Sequence, residues 1–166
     1  MGARQRGARC RCEADRRGRP ADRAGAGGVG RAPRVIYLDS CIVIYAVEDR
    51  SDRGDRVRAR LAEAGDEVVA ISPLVVQECL VGPLRADDLA LHDHYMRSFE
   101  HFELIELELR HFIRAAELRA RTGVRTPDAL HLAAAQLAGC DALWTNDRRL
   151  AAASHGLAID IIDTAS

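Results

Sequence analysis

The sequence predicts an α/β fold, a central and mostly parallel sheet flanked by helices, and three observations lead there. From residue 35 onward, short apolar runs of strand character alternate with segments of helical pattern, the order that builds a parallel sheet. Ser72-Pro73 and Thr126-Pro127 each place a capping residue and a Pro ahead of an apolar helix. Asp39 and Asp147 stand where two of the strands should give out, and ligands bind at that edge of an open α/β sheet.

The elements follow in order. Val35, Ile36, Tyr37 and Leu38 form a buried strand, followed by a short helix over 40–47 and a polar, Arg-rich helix over 52–64. A strand over 67–71 leads into a helix over 72–81 opened by Ser72 as cap. A second helix covers 86–99, and a strand covers 102–106. A helix over 108–121 precedes the one that starts at Thr126, which is apolar nearly all round through Ala135. The strand over 142–145, a helix from Asp147 and a last strand over 157–162 complete the series. No internal repeat interrupts it.

Composition bounds the reading. The 166 residues suffice for one domain with a sizeable core, and 48% hydrophobic residues is ordinary for a globular chain. No apolar run is long enough to cross a membrane, so a cytoplasmic protein without membrane contact is expected. All 24 basic residues are Arg, and the missing lysine eliminates every mechanism that needs one. Residues 1–34 carry ten Arg against Glu13, Asp15 and Asp22, a net of +7, whereas residues 35–166 carry a net of −8. Residues 1–33 also lack strand or helix periodicity. They are expected to be a disordered Arg/Gly-rich tail or to precede the true translation start, with the folded domain over 34–166. The alternative is a basic arm that binds nucleic acid. Arg16-Arg17 is followed by no apolar stretch, which argues against an export signal. Of five cysteines, Cys41, Cys79 and Cys140 lie in apolar segments and read as small buried hydrophobes, while Cys10 and Cys12 lack the spacing of a zinc site.

Four acids carry the chemistry: Asp39, Glu78, Asp128 and Asp147. At helical spacing Glu78 neighbours Leu74, Val75 and Val81, so its carboxylate leaves a face that should pack on the core. A carboxylate there is costly without a partner. Asp128 belongs to the first turn of a buried helix. Each has a plain structural alternative: Asp39 and Asp147 as helix caps, Asp128 as a charge favoured by the helix dipole. Convergence changes the balance, because clustered carboxylates repel one another unless a cation sits among them. Hard oxygen donors suit Mg²⁺ or Mn²⁺ rather than zinc.

In order and spacing, Val35-Ile36-Tyr37-Leu38-Asp39-Ser40, Ser72-Pro73-Leu74-Val75-Val76-Gln77-Glu78, Thr126-Pro127-Asp128-Ala129-Leu130-His131-Leu132-Ala133 and Leu143-Trp144-Thr145-Asn146-Asp147 resemble the PIN-domain nucleases, above all the VapC-type toxins of toxin–antitoxin pairs. The resemblance spans residues 35–163. It implies a PIN-like three-layer α/β/α fold and a Mg²⁺- or Mn²⁺-dependent endoribonuclease. It also implies a small VapB-like antitoxin that docks over the active site, and a homodimer. By the same resemblance Asp39, Glu78, Asp128 and Asp147 are the catalytic acids. Asp39 and Asp128 would be direct metal ligands, with Glu78 and Asp147 binding directly or through water. Thr145 and Asn146 would help to position Asp147. Ser40, beside the first acid, is a candidate donor to a phosphate oxygen or a helix cap.

Arg125, Arg148 and Arg149 lie close in sequence to the acids and are candidate RNA contacts; as plain residues they are solvated surface arginines. His92 and His94 are two apart and cannot share a helix face, and His131, one turn from Asp128, is expected at the surface or in packing unless it hydrogen-bonds an acid. A receiver domain or a haloacid-dehalogenase-like phosphatase would need a lysine. The remaining alternatives are a PIN-fold RNA-processing nuclease outside toxin–antitoxin systems and a PIN protein that binds without cutting. Ile42, Tyr45 and Val57, on the two helices after the first strand, are candidates for an antitoxin groove or for the core.

Overall fold

The computed structural model describes residues 32–163. The expected tail at residues 1–33 thus lies, up to Arg31, outside the described residues. Five strands, Val35–Leu38 (β1), Val68–Ile71 (β2), Glu103–Leu104 (β3), Ala142–Trp144 (β4) and Ala158–Ile159 (β5), pair in the order β3-β2-β1-β4-β5. Every described pairing is parallel, in line with the mostly parallel sheet expected. Seven described helices surround it in a three-layer α/β/α arrangement: Ser40–Glu48 (α1), Asp52–Glu63 (α2), Pro73–Ala86 (α3), Leu89–Phe99 (α4), Leu109–Thr122 (α5), Thr126–Leu137 (α6) and Arg148–Ala153 (α7). None of them is long and apolar enough to cross a membrane.

The chain winds outward from β1 in both directions. Tyr37 pairs with Ala70 on β2, and Leu38 pairs with Trp144 on β4. β1 is covered on both faces, with Ile36, Tyr37 and Leu38 essentially inaccessible. That explains its unbroken apolar sequence. Strand order reverses between β1 and β4, and at such a switch point the loops diverge and leave a crevice at the carboxyl edge. Asp39 opens onto that edge, its N–H bonded to Trp144 O at 3.0 Å.

α6 supplies the floor. Ala129 through Ala135 are all buried, and its small side chains allow close packing with α5. α5 is amphipathic, burying His111, Ala115 and Leu118 and turning its charged residues outward. It stops at Gly123, whose φ of 72° belongs to the left-handed region.

Several boundaries differ from expectation. α3 runs past Val81 through the buried Pro83 to Ala86. A Pro inside a helix forgoes the hydrogen bond to the carbonyl four residues earlier, and here the helix stops within one turn, at Asp87 with φ 54°. β3 and β5 have two residues each because they are the sheet edges, where short strands avoid exposing unpaired backbone. Ile42 and Val57 are fully buried core residues, which removes them from any docking groove.

Candidate metal centre

Sequence brings the four acids to the sheet edge by four routes. Asp39 follows β1, Glu78 projects from α3, Asp128 lies in the first turn of α6, and Asp147 precedes α7. They share the wall of one cavity of about 290 Å³. Its lining carries little hydrocarbon, unlike an ordinary ligand pocket.

Asp39 is the most deeply set, at 7% exposure. Although it occupies the cap position of α1, its side chain makes no capping hydrogen bond. Thr145 Oγ donates to its Oδ2 at 2.6 Å, Cys41 Sγ donates to the same oxygen at 3.4 Å, and Ser40 Oγ donates to Oδ1 at 3.3 Å. The helix-cap reading of Asp39 and of Ser40 thus gives way to an oriented carboxylate. Cys41 is also not the buried hydrophobe expected. It lines the cavity and donates to Asp39, and burial, reinforced by Asp39, pushes its thiol up to about 12. Cys79 and Cys140 are buried as expected.

Asp147 takes the capping role. Its Oδ1 accepts from Arg149 N at 2.6 Å and Leu150 N at 3.1 Å while the residue still lines the cavity. Thr145 ties it to Asp39, since Thr145 Oγ also accepts from Asp147 N at 3.0 Å. Asn146, also on the wall, donates to Asp160 Oδ2 at 3.3 Å, which makes Asp160 a support the sequence did not point to.

Charge is not balanced within the cavity. Burial raises the Asp128 carboxyl above its usual range, with Asp147 and then Asp39 adding to it against the Arg125 backbone N–H. Burial alone would also raise Glu78, but the hydrogen bond and charge of His131, with Ser40, outweigh it and hold Glu78 low. Among the described residues none of the four acids pairs with an arginine; Asp39 and Glu78 face only His131, at 3.5 Å and 2.8 Å.

His131 was expected at the surface or in packing and is instead in the site, 2% exposed. Its Nε2 meets Glu78 Oε2, and one ligand atom from each of Asp39, Glu78 and His131 lies within 4.8 Å of the others. The signal was in the sequence: three residues from Asp128, on a helix otherwise apolar, a buried imidazole needs a polar partner. Tyr45 also lines the cavity, with the Arg53 guanidinium stacked 3.9 Å from its ring centre. A second cavity of about 370 Å³ shares Asp128, Asn146 and Asp147 with the first and is bounded by Arg125, Arg148 and Arg149.

The sequence profile of the PIN domain family matches residues 36–156. The chain belongs to the PIN domain family. Solved structures share this PIN domain's fold. A toxin–antitoxin complex from Klebsiella pneumoniae has a chain with 24% identity and a TM-score of 0.63, covering 76% of this chain and 97% of that one. FitAcB from Neisseria gonorrhoeae gives 18% identity and a TM-score of 0.66 over the same shares. VapBC2 from Rickettsia felis, bound to a DNA fragment from its promoter, gives 18% and 0.62 over 75% and 97%. No curated protein matches the sequence.

The donor set of this PIN domain fits a hard divalent cation. Carboxylate oxygens dominate the lining, and one imidazole nitrogen is in reach. A cation would also offset the burial and the neighbouring carboxylates that raise Asp128.

Proposed function

We propose that this PIN domain is a Mg²⁺- or Mn²⁺-dependent endoribonuclease that hydrolyses RNA phosphodiesters and is the toxin of a type II, VapBC-like toxin–antitoxin system. The observation that carries the reading is the convergence of Asp39, Glu78, Asp128 and Asp147 on one cavity at the sheet's switch point, without an arginine partner among the described residues. Asp39 and Asp128 are the proposed direct ligands, and Glu78 and Asp147 complete the shell directly or through water. When bound, a divalent ion would lower the pKa of water and offset the negative charge that builds on the phosphoryl and leaving-group oxygens during hydrolysis.

The protein's own groups do the rest. Thr145, with Ser40 and Cys41, fixes the Asp39 carboxylate, so its orientation needs no rearrangement. The Asp147 cap and its bond to Thr145 fix the far wall. An acidic cavity repels a polyanion unless cations flank it. Arg125, Arg148 and Arg149 bound the adjoining cavity and are the proposed phosphate contacts.

Two features support an antitoxin partner. The similar structure from Klebsiella pneumoniae is a toxin–antitoxin complex. An acidic cavity also suits an inserted Arg or Lys side chain, which would take the cation's place. That partner separates this reading from a free-standing RNA-processing nuclease. Pairing of two copies belongs to the same proposal. Leu109, Phe112 and Ile113 leave an apolar face of α5 half or more exposed, and sedimentation equilibrium should give twice the chain mass.

The test is cleavage of tRNA and ribosomal RNA fragments by the full-length protein with Mg²⁺, Mn²⁺ or EDTA, beside Asp39→Asn and Asp128→Asn. Discrete cuts that vanish in EDTA and fall by about 100-fold or more in both variants are expected, at or beyond the 10–100-fold typical of losing an outer-shell group. Cutting that survives EDTA, or no cutting by folded protein that binds Mn²⁺, contradicts the proposal.

A further inference from the structure

Behind the acidic cavity a line of polar side chains crosses the core. Ser72 occupies the cap position of α3, but its hydroxyl makes no capping bond. It lies 2.7 Å from Tyr37 Oη, which lies 3.0 Å from His131 Nδ1. The other ring nitrogen, Nε2, is 2.8 Å from Glu78 Oε2. Ser72, Tyr37 and His131 are at most 2% exposed, and Glu78 is the end that reaches the cavity.

The chemistry orders the chain. An ionised Glu78 only accepts, so Nε2 carries the hydrogen between them. Nδ1 shares a hydrogen bond with the Tyr37 hydroxyl, and Tyr37 Oη shares the next with Ser72. Every member is satisfied, and no buried side-chain nitrogen or oxygen among the described residues lacks a partner. Phe, Leu and Ala would fill the same volumes without any polar group to satisfy. Three buried polar residues that end on one carboxylate oxygen are explained by what they do to that carboxylate.

We infer that His131, backed by Tyr37 and Ser72, is a positioning residue that fixes the Glu78 carboxylate by occupying Oε2 and leaves its remaining lone pairs to a bound divalent ion. Outer-shell donors of this kind set the orientation of carboxylate ligands, and their loss typically weakens metal binding about 10–100-fold. The inference rests on the proposed metal centre, and its test separates the two.

Mn²⁺ binding to the full-length protein is followed by the electron paramagnetic resonance signal of free Mn²⁺, for wild type, His131→Leu, His131→Gln, Tyr37→Phe and Glu78→Gln. His131→Leu, which fills the volume without a donor, should bind about 10–100-fold more weakly. His131→Gln keeps an N–H near the Nε2 position and should restore binding to within about 3-fold of wild type. A merely structural role would not be rescued by that one atom. Tyr37→Phe, which removes the hydrogen-bond partner of Nδ1, should fall between them, and it carries the test if His131→Leu does not melt cooperatively. Wild-type affinity in His131→Leu and Tyr37→Phe with weakened Glu78→Gln overturns the positioning role and keeps the metal centre. A directly bound ¹⁴N in the Mn²⁺ echo-modulation spectrum overturns it in favour of ligation by His131. A wild type that binds no Mn²⁺ overturns the metal centre itself.

Discussion

Asp128 shows at a single residue how this site trades stability for function. Burial, Asp147 and Asp39 raise its carboxyl, so the folded protein disfavours the ionised form. Asp128→Asn should therefore melt higher than wild type in EDTA, while losing the further rise that Mn²⁺ gives the wild type. The pH dependence has a fixed sign. With its folded value above the unfolded one, Asp128 makes the metal-free protein less stable as pH rises from the ordinary carboxylate range through the raised value. The Asn variant should lack that loss in thermal melts across the same range. Glu78, held low mainly against its burial by His131, acts in the opposite sense: its contribution is present above the ordinary range and is lost as pH falls. The four acids stood out in the sequence by their places, two just past apolar strands, one in a helix's first turn and one on an apolar helix face, and by the family resemblance. The roles of His131 and Ser72 are not written locally, since they depend on Tyr37 and Glu78, neighbours brought from distant parts of the chain.

Among the elements, α2 is held close to the end of α1 by Gly54. A Cβ added there would lie 1.9 Å from Asp49 O. Helix propensity alone predicts that Gly54→Ala stabilises by about 1 kcal/mol. The contact predicts the opposite sign, a loss of about 1–3 kcal/mol from overpacking, which urea unfolding measures. Element type was legible almost everywhere, because apolar periodicity and the Pro-marked helix starts were strong. Ends were less so. The extension of α3 through Pro83 depends on burial of that ring, and the shortness of β3 and β5 on their place at the sheet edges; neither is written locally.

For the whole molecule, strand order is what turns separate acids into a site. β1 and β4 lie side by side although about a hundred residues part them, and Asp39 and Asp147 meet only because of that adjacency. Alternating strands and helices made the parallel sheet legible but did not supply the order of its strands. Composition alone could not, since many topologies share one alternation. The most direct measurement is the anomalous scattering of Mn²⁺ in crystals of the full-length protein grown or soaked with the ion. A peak in the switch-point cavity within bonding reach of Asp39 and Asp128 oxygens, absent from Asp39→Asn crystals, is the predicted result. An empty cavity at saturating Mn²⁺, or a peak away from these carboxylates, would contradict the metal centre on which the account stands.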